Sequence, residues 1–347
     1  MRAASFAPNG APPRYHAEVA HLRSLAAWRR TETVFWIAPV LLYFLLPRQL
    51  VLFSQIAVMG LFAISLDLIL GYAGVISLGH AAFFGLGGYT AGILAQQGWG
   101  EPLSGLALGG LAAGVLGFAT SFLVLRGSDL TRLMVTLGIS LMLYELANKM
   151  RWLTGGADGL QGVEVWPLLG VWRFDLYGRT AYCYSIIVLF LSFLIIRRIV
   201  HSPFGLALRG IRENERRMPA LGTPVARRLV AAYTIGAIFA GIAGALLTET
   251  TQFVSLDVLS FDRSAEALLV VVLGGAGTLY GGIVGALALI VAQYLLSGFT
   301  PQYWQFWMGI AFIALVFFAR GGILGLVFRI ASVLRRIVGA ASGARGA

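Results

Sequence analysis

Residues 70–92 read LGYAGVISLGHAAFFGLGGYTAG, and seven of them are glycines, at 71, 74, 79, 85, 87, 88 and 92. The stretch is apolar enough to lie in a bilayer, yet Ser77 and His80 sit among the glycines. A helix that only faces lipid does not need so much glycine. Small residues let helix backbones approach closely, and they also permit irregular backbone where a membrane protein lines a cavity. Two readings follow. The stretch is either part of a translocation pathway, lined by Ser77, Gly79, His80, Phe83 and Gly87, or a tight helix-packing face without solute contact.

The whole composition places the chain in a membrane. Of its 347 residues 58% are hydrophobic and 12% charged, and the mean hydropathy is +0.82, far from a soluble domain. The net charge of +11 does not point to nucleic acid, because the basic residues lie in short segments between apolar runs and act as topology signals. Cys183 is the only cysteine and four scattered histidines give no ligand spacing, so neither a disulfide framework nor a metal centre is expected. Lys149 is the only lysine, and no phosphate-binding glycine loop surrounds it. If ATP drives this protein, another subunit binds it.

Taken in order, residues 1–32 form a basic tail and residues 33–319 a set of apolar runs. The expected spans are 33–47, 50–70, the glycine-rich stretch, 103–125, 130–147, 180–196, 229–247, 283–296 and 303–319. The run 265–273 is too short for a core that takes about 20 helical residues to cross, so the region 265–282 reads as re-entrant or spanning. The expected fold is an all-α polytopic bundle of about eight to ten spans. The loop 148–179 breaks the hydrophobic pattern with Gly155-Gly156, Asp158-Gly159 and Pro167, and Trp166, Trp172, Tyr177 and Tyr182 beside it read as interfacial anchors. With the N-terminus inside, inner segments collect about 20 of the basic residues and outer ones about six. Both termini, including the tail 320–347, are then cytoplasmic, and an odd number of spans per half would invert the second half relative to the first.

The segment 197–228 is the most charged. On a helix from Pro203, Phe204, Leu208, Ile211 and Met218 share one face and Arg209, Arg212 and Arg216 another, with Pro219 expected to end or kink it. Such a helix either lies on anionic headgroups or docks a soluble partner. Glu213, Asn214 and Glu215 favour docking, because a lipid-binding helix would stay basic there.

Four blocks, SLGHAAFFGLGGYTAG at 77–92, LTGGADGL at 153–160, FGLALRGIRENE with ALG at 204–222, and VVLGGAGTLYGGIVGA at 271–286, together resemble the M-type permease of branched-chain amino-acid ABC importers. The resemblance implies a bacterial inner-membrane subunit that moves branched-chain amino acids, or in related systems urea, short amides or aromatic acids. It implies a second permease of the H type, two cytoplasmic ATPases that bind ATP and Mg, and a periplasmic binding protein. No cofactor is expected in this chain and no catalysis. ATPase coupling falls on Gly205, Arg209, Arg212, Glu213, Asn214, Glu215 and Gly222. Leu206 stands where the family has Arg, Met218-Pro219 replaces an alanine-rich approach, and Leu141 stands where Glu is common, with Glu145 a turn later. A stand-alone channel or ion-coupled carrier would explain the glycine-rich spans but not the charged 203–222 helix.

Asp67 lies within a span, where the family more often has Asn. An ionisable residue there is either part of a pathway or paired structurally, since an unpaired charge in hydrocarbon costs several kcal/mol, roughly 3 or more. His80 likewise either meets a substrate carboxylate or hydrogen-bonds a neighbouring helix carbonyl.

Overall fold

A chain in hydrocarbon has no water to satisfy its backbone, so each apolar run closes its own hydrogen bonds as a helix. The computed structural model describes residues 30–175, 177–299, 301–318 and 321–326. The N-terminal tail before residue 30 and nearly all of the tail from 320 lie outside them. Among the described residues there are no strands, only isolated bridges. The described residues hold eleven α-helices of eleven residues or more: α1 Arg30–Leu45, α2 Leu50–Asp67, α3 Ala81–Gln96, α4 Pro102–Val124, α5 Asp129–Lys149, α6 Arg179–Val200, α7 Pro203–Glu213, α8 Val225–Thr251, α9 Phe261–Gly274, α10 Leu279–Phe299 and α11 Trp304–Phe318. The chain divides into two units, Met1–Pro47 with α1, and Arg48–Ala347 with the rest.

Six helices among the described residues are long and apolar enough to cross a membrane: α2 with its extension to Tyr72, α4, α5, α6, α8 and α10. Four shorter apolar helices, α1, α3, α9 and α11, have 14–16 residues, or about 21–24 Å at 1.5 Å per residue. Of the eight to ten spans expected, six described helices are long enough to cross, and the four short ones fall short of a core of roughly 30 Å.

The glycine-rich stretch is not one span. Its first residues finish α2 as a π-helical turn, Leu68–Tyr72, residues 73–80 are irregular, and only Ala81 onward is helical. Gly74, at φ +75°, takes a backbone conformation that side chains disfavour, and the chain reverses there. The 265–282 region behaves alike. Ser260 caps α9 by accepting the Arg263 N–H at 3.2 Å, the helix stops at Gly274, and Gly275 and Gly277, both at positive φ, turn the chain into α10.

These two places belong to a repeated pattern. A long helix, an irregular return, a short helix and a long helix occur as α2, 73–80, α3, α4 and again as α8, 252–260, α9, α10. Each long helix packs on the short and long helices of the other set, α8 on α3 and α4, and α2 on α9 and α10, while α2 and α8 also touch. The short helices meet where Ser264 accepts the Ala81 N–H at 2.9 Å. α2 and α8 form the core. Their apolar windows are 83% and 67% buried, against 17% for α5. Glycines set the spacing: a Cβ on Gly87 would overlap the Gly241 backbone, one on Gly244 the Phe84 carbonyl, and one on Gly274 the Gly281 carbonyl.

One end of the second unit gathers 97–101, 150–175 and 252–254, tied by the Leu160–Val254 bridge and the Trp166 N–H to Gly100 carbonyl bond at 2.8 Å. The other end holds the arginine-rich 201–224 segment and the 275–278 turn. α2 runs toward the arginine end and α8 away from it, so the second set is inverted relative to the first.

Candidate functional site

At the arginine end the chain ties four distant segments into one knot. α7 is amphipathic, with Gly205, Leu208 and Ile211 buried. It begins where Ser202 Oγ accepts the Phe204 N–H and where Gly205 lies against the Val200 carbonyl, with no room for a side chain. The helix ends at Glu213, earlier than Pro219 foretells. Asn214 is extended, and its side-chain oxygen accepts the Arg217 N–H at 3.2 Å, so the local asparagine turn ends the helix and Met218 does not share its face.

Two arginines of α7, themselves exposed residues, lay their guanidinium groups on the end of α2. Arg212 Nη1 donates to the Gly71 carbonyl, which the π turn has freed from regular helix bonding. The Arg209 guanidinium lies 5.2 Å from the centre of the Tyr72 ring, a cation–π distance. Beneath them, Asp67 Oδ1 accepts the Gly277 N–H at 2.7 Å. Both glycines are required by contact, since a Cβ on Gly71 would meet the Asp67 carboxylate and one on Gly277 the Arg212 guanidinium. Arg228 at the start of α8 sits 5.5 Å from the Phe204 ring centre. The α7 helix is therefore latched directly to the end of α2 and to α8, and through Asp67 to the α9–α10 turn.

The outward side of the segment is different in kind. Glu213, Asn214, Glu215, Arg216 and Gly222 are exposed, as are Leu206 and Leu221. Glu215 is 3.7 Å from Arg132 of α5, and Arg132 also pairs with Asp129 at 3.3 Å. Gly222, at φ +76°, closes the short 3-10 turn Pro219–Leu221.

The six pathway candidates are all buried, and the structure divides them. Asp67 is in the knot. His80 is packed between Phe62, stacked at 5.4 Å, and Phe83, edge-on at 5.7 Å, with Nε2 2.9 Å from Ser65 Oγ. Phe83 continues to Tyr233 of α8 at 5.5 Å, whose hydroxyl is flanked by Ser77 and Thr120. Where a neighbouring helix carbonyl is one expected partner of His80, the structure gives it the Ser65 hydroxyl of α2. Gly79 rests on the Thr136 carbonyl of α5 and Gly87 on Gly241 of α8, so both sit at close helix contacts inside the subunit. Tyr182 is buried against Phe53, which corrects its reading as an interfacial anchor, whereas Trp166, Trp172 and Tyr177 are exposed.

Residues 50–319 match the family described as branched-chain amino acid transport system / permease component. The chain belongs to this permease family. Among similar proteins is the high-affinity branched-chain amino acid transport system permease protein LivM of Escherichia coli, 29% identical over 282 residues, which covers 75% of this chain and 66% of that protein. The chain thus spans just under two thirds of that relative's length. The probable branched-chain amino acid transport permease protein LivM of Methanocaldococcus jannaschii is 24% identical, covering 68% of this chain and 77% of that one. The LivH permease protein of Escherichia coli is 24% identical, covering 77% and 91%. No solved structure gives a significant match.

In this permease the sequence reading overlooked one buried polar pair. Tyr184 of α6 donates to Glu249 Oε2 of α8 at 2.7 Å, and Gly105 of α4 leaves the space that Glu249 Oε1 occupies. The signal was present, because Glu249 lies on a helix that runs on past the expected end of the span at 247. Among the described residues of the permease no group of three or more His, Cys, Asp or Glu could hold a metal.

Proposed function

We propose that this chain is one of two permease subunits of an ATP-driven importer of branched-chain amino acids in the bacterial inner membrane, with both termini cytoplasmic. Its partners are an H-type permease, two cytoplasmic ATPases that hold ATP and Mg, and a periplasmic binding protein. The chain itself performs no covalent chemistry. Its family and the transport systems for which its relatives are named support the solute class. The observation that carries the mechanism is that α7 joins two things, its arginine head groups resting on the end of α2, where Asp67 holds the α9–α10 turn, and an exposed, charged turn lying between Leu206 and Leu221. A carrier or channel that works alone has no use for such an outward face.

In this reading the ATPases seat on Glu213, Asn214 and the exposed leucines, and their closure moves α7. Because Arg212 holds the Gly71 carbonyl and Asp67 of the same segment holds Gly277, the displacement reaches both inverted sets together. Access then alternates between the two ends of the bundle. The two faces separate experimentally. Glu213→Arg should weaken recovery of the ATPases with the purified permease pair about tenfold, as loss of an interface charge does. Arg212→Ala should leave that recovery intact while lowering amino acid imported per ATP hydrolysed. Normal recovery and normal coupling in both variants would remove α7 from the mechanism.

A further inference from the structure

A cavity of about 230 Å³ opens between α2, α3, α8, α9 and α10 toward the loop end. Four polar side chains face it, Gln55, Arg263, Glu266 and Gln293. Its remaining wall is apolar, with Met59 and Phe84 on one side and Ile290 on the other. The charged groups are organised. Arg263 Nη1 donates to Glu266 Oε2 at 2.9 Å, Nη2 to Asp257 Oδ2 at 2.6 Å, and Gln293 Nε2 to Glu266 Oε1 at 3.3 Å. Arg263 Nε is buried without an acceptor among the described residues.

Position adds to chemistry. Gln55 is five residues from the start of α2 and Gln293 six from the end of α10, so both lie about 8–9 Å below the helix ends at 1.5 Å per residue. Charge and amide groups turned to hydrocarbon at that depth are costly. The Arg263 and Glu266 side chains are nevertheless 27% and 24% exposed, and Gln55 is exposed beside them. This face is therefore turned away from lipid, toward an aqueous path. The volume equals roughly eight water molecules at about 30 Å³ each, room for one small solute and not for a peptide.

We propose that this cavity is a solute site of the translocation pathway, built for a zwitterion with an apolar side chain. It rests on the transport reading above and adds the place where the solute is held. The solute carboxylate takes the second N–H of an Arg263 Nη, each of which uses only one toward Glu266 or Asp257, its ammonium is shared between Glu266 and the Gln55 and Gln293 amide oxygens, and its side chain packs on Met59, Phe84 and Ile290. The Arg263–Glu266 pair holds the site in the empty state, so neither charge is left unpaired between transport cycles.

The test uses the complete complex in vesicles with its binding protein. Glu266→Gln removes the charge that receives the ammonium and keeps the side chain's shape. Leucine imported per ATP hydrolysed should fall about tenfold or more, the effect of a lost charged hydrogen bond, while hydrolysis stimulated by the loaded binding protein persists. In a Cys183→Ser background, Gln55→Cys should react with a water-soluble thiol reagent. Millimolar leucine should protect it, and 4-methylpentanoate, which lacks the ammonium, should not. The protection result decides the proposal if Glu266→Gln fails to assemble. Unchanged coupling in Glu266→Gln, or a Gln55→Cys that is inert or protected equally by both compounds, overturns the site. A wild-type complex that imports no branched-chain amino acid overturns the transport reading together with it, whereas import that ignores both substitutions overturns the site alone.

Discussion

Asp67 is 1% exposed, and its hydrogen-bond partner Gly277 lies 210 positions away. The sequence shows a carboxylate in a span and leaves open whether it serves solute or structure; the Gly277 N–H gives it a structural partner. An asparagine could accept the same bond through its amide oxygen, which fits the Asn that the family often has there. Asp67→Asn should accordingly keep most of the thermal stability of the purified complex. Asp67→Ala strands a buried N–H, a loss of about 1–3 kcal/mol, and should lower the melting temperature and leucine uptake together. Equal stability of the two variants would show that the Gly277 bond does not hold the knot. His80 and Ser77 were just as visible in the sequence. Their partners Ser65, Phe62 and Tyr233 were not, because no spacing rule links a residue to side chains on other helices.

At the scale of elements, hydropathy finds each apolar run to within a few residues, since a run must be long and apolar to exist in a bilayer at all. It fails in the 70–92 stretch, where the runs of α2 and α3 join through residues just as apolar as the helices. The break is set by the π turn and the positive φ of Gly74, which pattern does not register. The seven glycines divide the same way. Gly71 makes room for Asp67, Gly79 for Thr136, and Gly87 for Gly241. Gly87→Ala should therefore destabilise the isolated subunit by about 1–3 kcal/mol, as overpacking does. Limited proteolysis of the subunit expressed without partners reads this before any assembly step. If Gly87→Ala resists protease like the wild type and only the complex fails to form, the glycine belongs to an interface between subunits.

For the whole molecule, residues 150–175 and 201–224 lie at opposite ends of the second unit, as the arginine distribution requires of an outer loop and an inner one. Gly159 and Gly222 both have positive φ, so cysteines are better placed at the exposed Asp158 and Ala220. With Cys183→Ser, an impermeant thiol reagent applied to intact cells should label Asp158→Cys and spare Ala220→Cys until the membrane is opened. Labelling of both in intact cells would put the two loops on one side and break the inverted arrangement. By itself, the sequence determined that the chain is a helical membrane protein, where its apolar runs lie, and that a charged amphipathic helix interrupts them; these are properties of composition and local period, which each segment carries alone. Tertiary structure alone decided that Asp67 and Arg212 share one knot, that α2 packs on α9 and α10 while α8 packs on α3 and α4, and that Arg263, Glu266, Gln55 and Gln293 face one cavity. Those facts depend on which helices approach one another, and that is set by the fit of glycine faces summed over the bundle.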